Sequence, residues 1–387
     1  MPGLGRVALA VASILFALAL GEGVVRVAGL GGVTRSRGPL HDNDPELGWI
    51  CARGVDTRYE LPGSFDVRVR CNELGLRDLD TPELAKPAGQ RRVAVLGDSF
   101  MWGFGVENEE LLSEQLEALL PDTEAISFAA NGYGTIQSLL RFERDAAAYA
   151  PDWTLLFFCW NDLEDNFDPK DGRRPYARLA EDGRLAIENS PVARLWSSPL
   201  KQALRQHLRL FELGDYAGEV LKAALSDRQL RRELRRARET RVELDGPPSR
   251  IARIEIYVEP GPKLDTAWRA VRLALARLDR GARQAGGQLA VAWVPTPETV
   301  LPEAFTTAFH GEGGRPLATG LDWDRPARRL ARIAAELGID HVETLPVFRA
   351  AEDPERLFLV DNGHWSPAGH ALAARQVAAH LRRAGTE

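Results

Sequence analysis

VAVLGDSFMWGFG, residues 93–105, decides the fold. A short apolar run, Val93 to Leu96, stops abruptly at Gly97-Asp98-Ser99 and runs into further glycines. A run of this length bounded by turn residues reads as a strand buried on both faces. The same form recurs at AISFAA (125–130), WTLLFFCW (153–160), LAVAWVP (289–295) and DHVETLP (340–346). Helical patterns fill the gaps around 109–120, 138–150 and 367–383. Strands alternating with helices predict a parallel sheet in a three-layer α/β/α sandwich.

Working outward, residues 46–90 alternate as in RYELPGSFDVRVRCNELGLRD, which predicts a small β-rich module. Residues 31–45 are rich in Gly, Pro and charge and read as a linker. The core domain is expected over 91–387, interrupted by a helical, charged insertion at about 163–250. That insertion is placed over the carboxyl edge of the sheet. Its RRELRRARETR segment (231–241) reads as a solvated helix face with Glu/Arg pairs, or as a surface for anionic lipid or substrate.

VALAVASILFALAL (7–20) carries no charge. Its length suits a signal-peptide h-region, and the apolar character resumes as far as Leu30. Residues 1–30 are therefore expected to be a signal anchor, or a signal peptide cleaved near Ala17-Leu18-Ala19. Arg6 precedes the run while Arg26, Arg35 and Arg37 follow it, which is not a clean positive-inside pattern. Cys51 and Cys71 flank one short β-like module and could pair in an oxidising compartment; whether they do depends on which side of a membrane they occupy.

The chain has 387 residues, formal net charge −6 and no basic excess, so nucleic acid is not an expected partner. Three Cys and seven His include no C-x-x-C, no H-E-x-x-H and no Cys/His cluster, so neither a metal nor another cofactor is expected.

In parallel α/β sheets, ligands bind beyond the carboxyl ends of the strands. Four features fall there. Gly97-Asp98-Ser99 places a hydroxyl at the start of a helix, as a nucleophile or as a plain N-cap. Asn131-Gly132-Tyr133-Gly134 is a glycine turn whose Gly132 N–H could serve as an oxyanion donor. Cys159-Trp160-Asn161-Asp162 offers the Asn161 amide, a neutral donor suited to transient negative charge, or an Asx-turn. Asp361-Asn362-Gly363-His364 sets a carboxylate three residues before an imidazole, a spacing that lets Asp361 fix one ring nitrogen while the other meets a serine. His370 reads as a packing or surface residue.

Together, in this order, the four features resemble the SGNH (GDSL-like) hydrolase superfamily over roughly residues 91–380. Gly97-Asp98-Ser99 resembles its first block, Gly132 its second, Asn161-Asp162 its third and Asp361-x-x-His364 its last. Cys159 stands where the third block usually has glycine. Asp44-Pro-Glu-Leu-Gly-Trp49 and Asn72-Glu-Leu-Gly-Leu-Arg-Asp78 resemble the leader of membrane-anchored bacterial members.

The resemblance implies an SGNH/flavodoxin-like sheet and a Ser99–His364–Asp361 triad. It implies an oxyanion hole of Ser99, Gly132 and Asn161, supported by Gly97, Asp98 and Asp162. The expected activity is removal of O-acyl groups from a small-molecule or polysaccharide substrate of the cell envelope. Two alternatives are an O-acyltransferase served by a membrane acyl-donor partner, and a non-catalytic glycan-binding module. The expected location is a bacterial membrane, with the catalytic domain in the periplasm. Trp102, Trp160 and Trp365 lie near the site residues and read either as core or as sugar-stacking surfaces.

Overall fold

The computed structural model describes residues 2–27, 35–36, 40–61, 63–195, 251, 253–258, 260–303, 321–359 and 362–384. The N-terminal part contains helix α1 (Pro2–Val27) and strands β1 (Arg35–Ser36), β2 (His41–Asp44), β3 (Gly48–Cys51), β4 (Asp56–Leu61) and β5 (Phe65–Arg70). The central part runs β6 (Arg91–Leu96), α2 (Ser99–Trp102), α3 (Leu112–Leu119), β7 (Thr123–Ser127), α4 (Thr135–Arg144), β8 (Trp153–Phe158), α5 (Asp162–Asp165), β9 (Tyr176–Leu179) and β10 (Leu185–Glu188). It ends with α6 (Pro262–Gln284), β11 (Gln288–Trp293), α7 (Pro297–Val300), α8 (Arg325–Leu337), β12 (Asp340–Val342), α9 (Leu345–Arg349) and α10 (Pro367–Ala384).

The main sheet has the order β12-β11-β8-β6-β7, and every pair in it is parallel. Relative to chain order this is a flavodoxin-like winding, whose reversal point opens a crevice between β6 and β8 at their carboxyl ends. The strands are apolar on both faces because both faces are covered. Val93, Val95, Leu155 and Phe157 share a cluster with Leu112, Leu116, Ala374 and Val377. Ala94, Leu96, Leu156 and Phe158 share the opposite cluster with Leu139, Val271, Leu275 and Leu330. The period of two along each strand thus serves two helical layers, as the sandwich requires.

Two stretches differ from the sequence expectation. Within the expected linker, Arg35–Ser36 pairs with Glu60 and Tyr59, and His41–Asp44 pairs antiparallel with Gly48–Cys51. Their strand partners are distant or lie across a turn, and composition does not report such partners. Within the expected helical insertion, β9 and β10 form an antiparallel hairpin around Gly183. Residues 196–250, including the Arg-rich 231–241 segment, lie outside the described residues. Among the described residues, no helix is long and apolar enough to cross a membrane.

The β-rich module shares the core of the main sheet. Cys51, Tyr59, Val67, Val69 and Cys71 belong to the cluster built on Val93, Trp102 and Phe157. Cys51 and Cys71 are joined by a disulfide that closes a separation of 20 residues. A loop of this size removes about 3 kcal/mol of chain entropy from the unfolded state. Cys71→Ser is therefore expected to lower the denaturant-unfolding free energy by ~3 kcal/mol. An unfolding curve identical to the wild type under non-reducing conditions would refute it.

Candidate active site

The turn after β6 is built around Gly97. Its φ is +155°, and a Cβ there would stand 2.7 Å from Met101 Cγ. Asp98 caps α2, its Oδ1 accepting from the Phe100 N–H at 3.0 Å. Ser99 opens the helix and is half-buried.

The loop before α10 brings His364 to it. His364 Nε2 lies 2.8 Å from Ser99 Oγ, across 265 residues of sequence. Phe104 stacks on the imidazole at a centroid distance of 4.3 Å, and Phe100 leans on it at 4.8 Å. At the other nitrogen, Nδ1 lies 3.1 Å from Asn362 Oδ1, which also accepts the His364 backbone N–H at 3.0 Å. Asp361 lies outside the described residues. An acceptor at Nδ1 fixes the tautomer with hydrogen on Nδ1 and leaves Nε2 free to take the Ser99 proton.

The second and third blocks also stand at strand ends. Gly132 follows β7 in the left-handed region, with φ +76°. The Trp49 indole N–H donates to Asn131 O at 2.9 Å, and the Tyr133 hydroxyl donates to Trp49 O at 2.5 Å. Asn161 follows β8 and donates from Nδ2 to Asp165 Oδ2 at 2.8 Å. Asn161 also hydrogen-bonds the Asp98 carboxyl, so the carboxylates behind it orient its amide. Asp162 is buried and accepts from Thr135 Oγ1 at 2.7 Å. Cys159 is buried and has no left-handed backbone, so the strand end does not require glycine there.

The leader motifs brace these loops. Asp44 receives the Glu46 and Leu47 N–H groups and pairs with Arg144 on α4 at 2.8 Å. Arg77 is fully buried, lies over the Trp102 ring at 4.7 Å and donates to the carbonyls of Trp102, Gly103 and Val106. It thereby fixes the backbone just beyond the Ser99 helix. Burial pushes Arg77 down to about 9, which still leaves it charged at neutral pH. Trp102 and Trp365 are both fully buried, so they are core residues and offer no stacking surface. Trp160 is half-buried. His370 is buried against Trp365 and packs as expected.

A family model described as GDSL-like lipase/acylhydrolase matches residues 95–324, more than half the chain. The chain belongs to this family. The matched span contains Ser99, Gly132 and Asn161; His364 lies beyond its end and is returned to Ser99 by the fold. Members are acylhydrolases, and the chain is an enzyme of that esterase class. Among solved structures, the chain is similar to a lipase/acylhydrolase from Enterococcus faecalis. Identity is 10%, coverage is 76% of this chain and 95% of that one, and the TM-score is 0.39. It is similar to a lipolytic protein of the G-D-S-L family from Veillonella parvula DSM 2008 at 11% identity, covering 74% and 96%, with TM-score 0.38. It is also similar to the acetyl xylan esterase AlAXEase at 12% identity, covering 75% and 99%, with TM-score 0.37. No curated protein matches the chain.

Sequence reasoning did not find Asn362 as an imidazole partner, nor Arg253, whose positive charge reaches His364. Burial and then Arg253 hold His364 down, to about 4. A base with that pKa stays neutral where an ordinary histidine (~6.5) is charged. On a neutral ester, kcat/KM is therefore expected to stay level as pH falls from neutrality to ~5.5, where a histidine of ordinary pKa would be ~90% protonated. A pH–rate profile with an acid limb centred at the ordinary histidine value would overturn this.

Proposed function

We propose that this acylhydrolase uses Ser99 as nucleophile and His364 as general base, cleaving O-acyl esters of a carbohydrate or cell-envelope substrate. The single observation that carries the reading is the 2.8 Å contact between His364 Nε2 and Ser99 Oγ. In the first step, Oγ attacks the ester carbonyl carbon while its proton passes to Nε2. The tetrahedral oxyanion is held by the Ser99 and Gly132 N–H groups and by the Asn161 side-chain amide. Collapse breaks the bond to the alcohol oxygen, which leaves with the proton from Nε2. Water then attacks the acyl-enzyme, gives its proton to Nε2, and the acid departs as Ser99 regains its hydrogen.

Asp361, three residues before His364, is proposed as the carboxylate that stabilises the imidazolium. The proposed location is outside the cytoplasm, with the N-terminal segment as membrane anchor or export signal. The Cys51–Cys71 disulfide and the uncharged 7–20 run support it.

A fluorophosphonate probe is expected to label Ser99 in the wild type and to leave Ser99→Ala and His364→Ala unlabelled. Labelling that survives Ser99→Ala would remove this serine from the mechanism. Asn161→Ala is expected to lower kcat about a hundredfold or more while the thermal melt stays near that of the wild type. A near-normal kcat in that variant would take Asn161 out of the oxyanion hole.

A further inference from the structure

Arg253 stands at the junction of three loops that form the site. Its Nε donates to Glu298 Oε1 at 2.6 Å and its Nη2 to Glu298 Oε2. Glu298 is almost fully buried, belongs to α7 at the carboxyl end of β11, and also accepts from the Tyr257 hydroxyl at 2.8 Å. The preceding residue, Pro297, lies against Gly363 of the catalytic loop, where a Cβ would come within 3.2 Å of its ring. The guanidinium carbon lies 5.0 Å from the centroid of Trp160, the residue before Asn161. One edge of the guanidinium is thus held by Glu298 and its plane by Trp160. The Nη1 group has no partner among the described residues, and the side chain is 41% exposed.

The direction matters. The leaving alcohol must bring its oxygen within reach of His364 Nε2, so the alcohol half of the substrate extends past His364. Arg253 acts on that same imidazole, opposing its protonation despite the pairing with Glu298. A cation that disfavours the imidazolium slows general-base catalysis unless an anion comes to it. A guanidinium held along one edge offers two parallel donors on another, a geometry suited to carboxylate or phosphate oxygens.

We propose that Arg253 is a substrate-binding residue whose Nη1 side takes an oxyanion, carboxylate or phosphate, on the alcohol half of the ester. This rests on the acyl-ester reading of Ser99 and His364. It makes the enzyme selective for anionic over neutral alcohols. The bound anion offsets the Arg253 charge at His364 as Ser99 loses its proton.

The test compares 4-acetoxybenzoate and 4-acetoxyphenyl phosphate with neutral 4-acetoxybenzamide. The wild type is expected to favour at least one anion by ~10-fold or more in kcat/KM, as a charge-assisted hydrogen bond implies. The double variant Arg253→Gln/Glu298→Gln removes both charges without leaving a buried carboxylate unpaired. In it the anionic-to-neutral ratio is expected to fall by ~10-fold or more. The arm that responds distinguishes carboxylate from phosphate. Should the double variant not fold, Arg253→Lys tests the same point, because an ammonium held by Glu298 has no second edge for substrate, and the ratio falls again.

Equal rates on all three esters in the wild type, or a ratio unchanged in the folded variant, would overturn the proposal. If no ester is cleaved at all, the acyl-ester reading fails by itself. Calorimetric binding of 4-acetoxybenzoate and 4-acetoxyphenyl phosphate to the Ser99→Ala chain then decides the role of Arg253. Binding of at least one anion that weakens on Arg253→Lys supports it. No binding of either anion, or binding indifferent to residue 253, overturns it.

Discussion

Ser99 and His364 meet at 2.8 Å although 265 residues separate them, and most of the architecture serves to hold that distance. Ser99 follows directly on β6, which is hydrogen-bonded on both sides, by β7 and β8. His364 is tied on its own loop: its carbonyl accepts from the Leu359 N–H at 2.7 Å, and Phe358 bridges to Trp365. Trp365, fully buried, then anchors the loop through its indole N–H to Pro295 O at 2.8 Å. Rigid strands and a packed tryptophan limit the two partners to small excursions, which a nucleophile–base pair needs.

The N-terminal β-rich segment is part of this arrangement. Phe65 of β5 packs edge-on against Phe104 at 5.3 Å, and Phe104 in turn stacks on His364. Asn362, the acceptor at His364 Nδ1, donates to Ser64 Oγ at 3.3 Å. Trp49 braces the Gly132 turn from the same side. Arg77 donates to three carbonyls at and just beyond the end of the Ser99 helix, of which that of Gly103 also accepts the Val106 N–H. The disulfide therefore stabilises a segment that walls His364, and its influence reaches the candidate site through aromatic packing.

Much of this was legible because it depends on short-range pattern. Val93–Leu96 is apolar throughout and Trp153–Phe158 is so but for Thr154, and all of these residues are buried, as in a sheet covered on both faces. Gly97, Ser99, Asn161 and His364 stand where those runs stop or on the loop that returns to them, so strand ends located the site. The pairing of Arg35–Ser36 with Glu60 and Tyr59 was not legible, since those strands carry charged residues and their partner lies far along the chain. Asn362 was equally invisible to spacing, which singles out Asp361, outside the described residues, and does not report the turn that brings the Asn362 amide oxygen to His364 Nδ1. Arg253 had no signal, because its partner Glu298 lies 45 residues away and its ring partner Trp160 belongs to another loop.

If Asn161 donates to an oxyanion, as proposed, its surroundings impose a last electrostatic constraint. Asp98, Asp162 and Asp165 cluster behind Asn161, and three fixed anions there would repel the negative charge that the transition state develops. Burial resolves the conflict for two of them. It raises the Asp98 carboxyl to about 7 and the Asp162 carboxyl well above the usual range, each further raised by nearby carboxylates, so the two do not both carry a full charge at neutral pH. Asp165 is handled differently: Arg174, almost fully buried, pairs with it at 2.8 Å. Asn161 donates to that paired carboxylate, which orients the amide without setting an uncompensated charge beside it. The substitution of glycine by Cys159 fits this scheme, because its thiol is pushed well up by burial and by Asp98, and stays neutral. On the proposed mechanism, a site that must welcome negative charge for only part of each cycle is thus lined on this side by a carboxyl pair held short of full ionisation, a neutral thiol and one compensated ion pair.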